Sequence, residues 1–212
     1  MSSQDPRIDM VAGAVNSWIV GDDSDVIVID PGEDAEAVLA VVGERQVLAV
    51  ICTHGHARHV AAALDVAERD AAPVALHPLD RSAWRRVHAE PADIDMEDDG
   101  RFEVAGVMLE VVHAPGHSRG STLLYSEDLG AAFTGDVVRD TGPVAHEDGY
   151  PNWGRQLDAI GAHVLTLPPE TRLLPGHGDE LTVADAEKLF DSWAAAGPLP
   201  VDDADVADDG EA

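Results

Sequence analysis

The chain has 212 residues, is 45% hydrophobic, and carries 41 acidic against 13 basic side chains for a formal net charge of −28. Its length and apolar content permit one globular domain with a sizeable core, while the charge argues against nucleic-acid or anionic-membrane partners, whose binding draws on lysine and arginine. A single cysteine, Cys52, rules out an internal disulfide framework and fits a reducing cytoplasm, and no segment reads as a secretion signal or a membrane span.

Residues 1–7 are polar and predict no regular element. Residues 14–21 and 25–30 read as two strands joined by the turn G-D-D-S, a hairpin signal. Pro31-Gly32 ends the second strand, and residues 33–43, with Ala37, Val38, Val41 and Val42 on one face, predict an amphipathic helix. The run V-L-A-V-I-C at 47–52 has the continuous apolar character of a strand buried on both faces, so Cys52 is expected as an inert core thiol. A helix over 60–70, a strand at 73–76 and a helix over 78–90 with Trp84 and Val87 inward follow. After an acidic, turn-rich stretch come strands at 102–105, 107–113, 121–126 and 131–134. Residues 136–152 lack periodicity and predict a long loop of the kind that carries function. A helix at 154–166, a strand at 172–174 and a helix at 182–196 complete a single domain over 1–197. Residues 198–212 are acidic and poor in large apolar groups, which predicts a disordered tail. Strands followed by helix, twice over, suit two sheets with helices outside them.

The chemistry concentrates where strands end. T-H-G-H-A-R-H at 53–59 leaves a buried strand and offers three imidazoles, good ligands for zinc or iron. Three later exits match it: His117 in A-P-G-H-S, Asp136 in F-T-G-D and His177 in L-L-P-G-H-G, each preceded by a glycine that permits a tight turn. Taken singly each is an ordinary turn; together they predict a metal centre.

This motif set resembles the metallo-β-lactamase superfamily, and most closely its small glyoxalase-II-like hydrolases, over roughly residues 10–195. The resemblance implies an α+β fold, an αββα sandwich of two mixed β-sheets flanked by helices, with metal at one sheet edge. It implies that His54, His56 and His117 hold a first ion, that Asp136 bridges, and that His59 and His177 belong to a second. One position departs. The family's motif T-H-x-H-x-D-H has an aspartate where this chain has Arg58, which has no lone pair to give a metal. At ~4 Å and an effective dielectric near ~20, a guanidinium repels a dication by on the order of 8 kcal/mol, twice the unit-charge value. One ion is therefore expected, zinc first, with iron or manganese as alternatives.

The expected activity is hydrolysis of a small activated carbonyl, of thioester or lactone type, by a metal-bound hydroxide. Asp136 would act in catalysis, and Arg58 would either pair with solvent and acidic neighbours or bind a substrate anion. Arg119, Arg139, His146, Tyr150 and Trp153 are candidates for the substrate wall, and a thiol conjugate is a candidate substrate. Rival readings are an iron enzyme that oxidises persulfides with oxygen, and a metal-poor, non-catalytic binding protein. The expected assembly is a monomer or homodimer.

Overall fold

The computed structural model describes residues 5–143 and 152–197. Its first sheet has six strands in sequential order: β1 (Arg7–Val11), β2 (Ser17–Gly21), β3 (Asp25–Ile29), β4 (Gln46–Cys52), β5 (Val74–Leu76) and β6 (Ile94–Asp95). β1, β2 and β3 pair antiparallel, whereas β3 through β6 run parallel. The second sheet has β7 (Arg101–Val104), β8 (Val107–His113), β9 (Thr122–Ser126), β10 (Ala131–Gly135), β11 (Arg172–Pro175) and β12 (Leu181–Thr182), again in order. Only β10 and β11 pair parallel in it.

Period-two alternation sorts the apolar side chains between faces. Ile27, Ile29, Ala49 and Ile51 point into a core shared with Leu109, Val111, Leu124, Phe133 and Leu174 of the other sheet. Trp18 meets Phe133 edge-on across that core, with ring centroids 6.1 Å apart. The alternate residues Val26, Val28, Val50 and Cys52 face outward, under α1 (Ala35–Val42), α2 (Ala57–Val60), α3 (Ala63–Glu68) and the indole of Trp84 in α4 (Arg81–Trp84). On the far side, Leu123, Ala132 and Leu173 pack beneath α5 (Trp153–Ala159), the π-turn that extends it over Ile160–Val164, and α6 (Val183–Ala196). The architecture is the αββα sandwich of two mixed sheets, and the two-faced burial of β3 and β4 explains why their sequences read as unbroken apolar runs.

The local expectations hold with several differences, among them the two-residue strands β6 and β12, which the sequence reading lacks. Arg7–Val11 adds an edge strand absent from the sequence reading, held by antiparallel pairing to β2. The helix expected over 60–70 starts earlier and breaks at Ala62, whose amide donates to the Gly32 carbonyl (2.8 Å) instead of continuing the helical ladder. The Pro31-Gly32 turn is thereby docked against α2, its own amide donating to the His59 carbonyl (3.2 Å). The helix expected over 78–90 is regular only as far as Trp84, because the indole N–H reaches the Glu90 carbonyl (2.6 Å) and the chain curls around the ring. The expectation for 198–212 lies outside the described residues. Among the described residues no helix is long and apolar enough to cross a membrane.

Cys52 is fully buried, and burial, followed by the nearby Asp30 charge, pushes its thiol well above the ordinary value. Because the thiolate is the reactive form, the native protein is expected to leave an aromatic disulfide reagent unreacted at pH 8 and to react stoichiometrically in guanidinium. Rapid reaction of the folded chain would contradict this burial.

Candidate metal centre

Parallel alignment puts several strand C-termini at one edge of the sandwich. β3 and β4 deliver Asp30 and the 53–59 loop, while β8, β10 and β11 deliver His117, Asp136 and His177. Such carboxyl-end edges are where α/β sheets characteristically bind ligands. Gly135 ends β10 with φ +49°, and a Cβ there would meet the Thr53 hydroxyl at 2.3 Å, so only glycine lets β10 turn Asp136 inward beside Thr53.

Among the sets of ligand-type atoms that result, each lying within 4.8 Å, one holds His54, His56 and His117 and another holds His59, Asp136 and His177. Asp136 Oδ2 sits between them, 3.9 Å from His54 Nε2, 3.4 Å from His117 Nε2, 3.5 Å from His59 Nε2 and 3.7 Å from His177 Nε2. His54, His59, His117 and Asp136 are buried, whereas His56 and His177 are only partly so, which leaves one side of the cluster open.

The hydrogen-bond network decides what the cluster fits. Thr53 Oγ1 donates to Asp30 Oδ2 (2.6 Å), which uses the single hydroxyl proton, so its 3.1 Å contact with His54 Nδ1 requires the imidazole to donate. His54 Nε2 is then a bare lone pair, buried and without a hydrogen-bond partner, as is Asp136 Oδ1. Burial, then repulsion from His59, His56 and His117, holds His54 well below its ordinary pKa, so it stays neutral. Burial by itself would raise the Asp136 carboxyl, but Arg139, then His59 and His177, outweigh it and keep the group well below the ordinary range. A neutral imidazole and an ionised carboxylate, each with an unsatisfied buried lone pair and set among four further histidines, are groups of the kind that hold a divalent cation. The residues present fit a metal.

Asp30 takes no part in the sequence reading, yet it is 1% exposed and organises one side of the site. Its Oδ1 accepts from the Thr53 amide (2.7 Å), and its Oδ2 lies 3.0 Å from His59 Nδ1, which leaves His59 Nε2 toward His177 (3.2 Å). Asp30 also falls in a third ligand-type set with His54 and His59. Because its oxygens are already committed, we read it as the partner that orients His59, in the manner of the carboxylates behind ligating histidines. Burial pulls His59 down, but Asp136 and then Asp30 more than offset it and lift the imidazole to about 10. A cation taken up at His59 Nε2 must displace that proton. The signal for Asp30 was an acidic residue ending an apolar strand immediately before Pro-Gly.

Arg139, expected on a substrate wall, is buried and donates to Asp136 Oδ2 at 2.7 Å. Arg119 is exposed beside His117, its carbonyl taken by His113 Nε2 (2.9 Å), and Trp153 opens α5 half-buried. His146 and Tyr150 lie outside the described residues. Arg58 is half-buried on α2 next to His59, and among the described residues no ion pair or hydrogen bond engages its guanidinium.

The chain matches the metallo-β-lactamase superfamily model over residues 10–180 and belongs to that superfamily. It is 32% identical over 183 residues to a probable metallo-hydrolase of Bacillus subtilis, covering 79% of this chain and 87% of that one. It is also 32% identical over 157 residues to a hydroxyacylglutathione hydrolase of Roseobacter denitrificans, covering 72% of this chain but 57% of the other. The solved structure of TTHA1623 in a di-iron-bound form superposes with a TM-score of 0.71 at 27% identity, covering 86% of this chain and 97% of that one. Membership supports a metal-dependent enzyme of hydrolase type.

Proposed function

We propose that this chain hydrolyses a small activated carbonyl compound, a thioester or lactone, at a centre holding one tightly bound divalent ion. The bare, buried Nε2 of His54, facing the ionised Asp136, is the observation that carries this proposal. His54, His56 and His117 would hold the ion, with Asp136 completing the shell and His59 and His177 flanking it. A zinc ion in such a shell lowers the pKa of bound water toward ~7 and polarises a carbonyl oxygen. Asp136, which accepts from Arg139 at 2.7 Å, would bind the ion, orient the attacking water and share its proton. Arg58 neighbours His59 on α2 and makes no ion pair among the described residues, and we assign it to an anionic group of the substrate or to the developing oxyanion. The likeness to the hydroxyacylglutathione hydrolase supports a thioester.

The test is metal analysis of protein purified without added metal, followed by thioester and lactone hydrolysis assays with oxygen uptake recorded in parallel. About one zinc per chain and hydrolysis without oxygen uptake is the expected result. Stoichiometric iron with oxygen consumed on a persulfide would overturn the hydrolase in favour of an oxidase-type reaction.

A further inference from the structure

Outside the metal-ligand set, one buried carboxylate directs its hydrogen bonds at the two loops that carry His54, His56 and His117. Asp80 is 3% exposed and lies at the end of the 3-10 turn Pro78–Asp80 that follows β5. Its Oδ2 accepts from the Gly55 amide (2.9 Å) and from the Ser118 hydroxyl (2.6 Å), and its Oδ1 accepts from the Gly120 amide (2.7 Å). Gly55 separates His54 from His56, and Ser118 directly follows His117. The Ser118 hydroxyl is also 2.7 Å from that of Ser121, whose oxygen accepts the Ser118 amide at 2.9 Å, so the second loop is closed on itself before Asp80 grips it. The approach is as close as the backbone allows: a Cβ on Gly120 would fall 2.8 Å from the Asp80 carboxyl carbon.

We propose that Asp80 is a positioning residue for the first metal half-site, a single buried carboxylate that sets the spacing between the His54/His56 loop and the His117 loop; this rests on the metal centre proposed above. The two loops leave different sheets, β4 in one and β8 in the other, so no strand pairing fixes their separation. The Thr122 amide and hydroxyl do reach the Thr53 carbonyl (2.9 and 3.0 Å), but both lie at strand ends, upstream of the histidines on one loop and downstream on the other. Asp80 acts at the tips, next to the ligands themselves. Its three acceptor contacts all take N–H or O–H donors of the loops, so the carboxylate orients backbone where the partners of ligating imidazoles usually orient rings. It also places a formal negative charge behind a site that must hold a cation.

Zinc titrated into the metal-free protein, with cobalt as a spectroscopic substitute, tests this without any substrate. Asp80→Asn keeps the side-chain shape but turns one acceptor oxygen into a donor facing loop donors. It is expected to weaken the first ion about 10- to 100-fold, the range for residues that support ligands, and to shift the visible cobalt spectrum. Ser118→Ala removes a single contact and is expected to weaken the ion less, by several-fold, in the same direction. Should Asp80→Asn fail to fold, Ser118→Ala decides. Wild-type zinc affinity and an unchanged cobalt spectrum in either folded variant, even with a lowered melting temperature, would show that Asp80 only supports the fold. A wild-type protein that takes up no zinc or cobalt overturns the centre and the clamp together, whereas absence of thioester hydrolysis with tight zinc binding leaves the clamp standing.

Discussion

Replacing Asp136 with alanine is expected to abolish tight metal binding and to lower the melting temperature of the metal-free protein by about 6–20 °C. The second figure follows from the pair Asp136 makes with Arg139, at 2.7 Å and with both side chains less than a tenth exposed. Removing one partner of a buried pair costs about 3–5 kcal/mol. In a chain of this size each kcal/mol corresponds to about 2–4 °C. His59 loses the larger of the two charges that lift it to about 10, which adds to the penalty while the imidazole is protonated. A second substitution separates the contributions. Asp136→Ala combined with Arg139→Met should recover part of the lost stability, because the guanidinium that Asp136 had faced is gone as well, and should recover none of the metal affinity. Calorimetry and zinc titration of the single and double variants measure both. Near-wild-type melting of Asp136→Ala would mean that Arg139 readily finds solvent or another partner.

Arg58→Asp is expected to raise the metal content from about one ion per chain to two. The other ligands of a second ion are already assembled, since His59, Asp136 and His177 bring their ligand atoms within 4.8 Å of one another. What the chain lacks is a carboxylate at position 58, and what it has there is a positive charge. The substitution reverses that charge and supplies a donor in one step. Solvent around the half-buried Arg58 screens its repulsion further below the figure of on the order of 8 kcal/mol at ~4 Å, yet a fraction of that is enough to empty a site, since ~1.4 kcal/mol is tenfold in affinity. Metal analysis after dialysis reads the ratio directly. A ratio that stays at one would show that Arg58 is not what excludes the second ion, and wild-type protein already holding two would show that the half-site tolerates it.

The parts of the molecule legible from sequence are those whose signal is local. The apolar runs of β3 and β4 declare strands buried on both faces, and a histidine or aspartate directly after a strand declares a group held at a sheet edge. Where the position of a side chain depends on distant backbone, the sequence is silent. The break at Ala62 comes from a carbonyl thirty residues earlier in the chain, at Gly32. Arg139 reads from sequence as a candidate for the substrate wall, and its destination on Asp136 depends on how the chain folds after β10. Asp80 carries no pattern of its own, since an aspartate at the start of a helical turn is ordinarily a cap; its role appears only when Gly55, Ser118 and Gly120 are seen around it. Asp30 lies between these cases, for its strand-end position resembles that of the ligands but its task is to hold one of them.

Anomalous scattering from crystals of protein purified without added metal, recorded on both sides of the zinc and iron absorption edges, tests the central claim most directly. The account predicts one strong peak at bonding distance from the imidazoles of His54, His56 and His117 and from Asp136. Clean density with those side chains ordered and no anomalous peak among them, in protein exposed to zinc, iron and manganese, would contradict it.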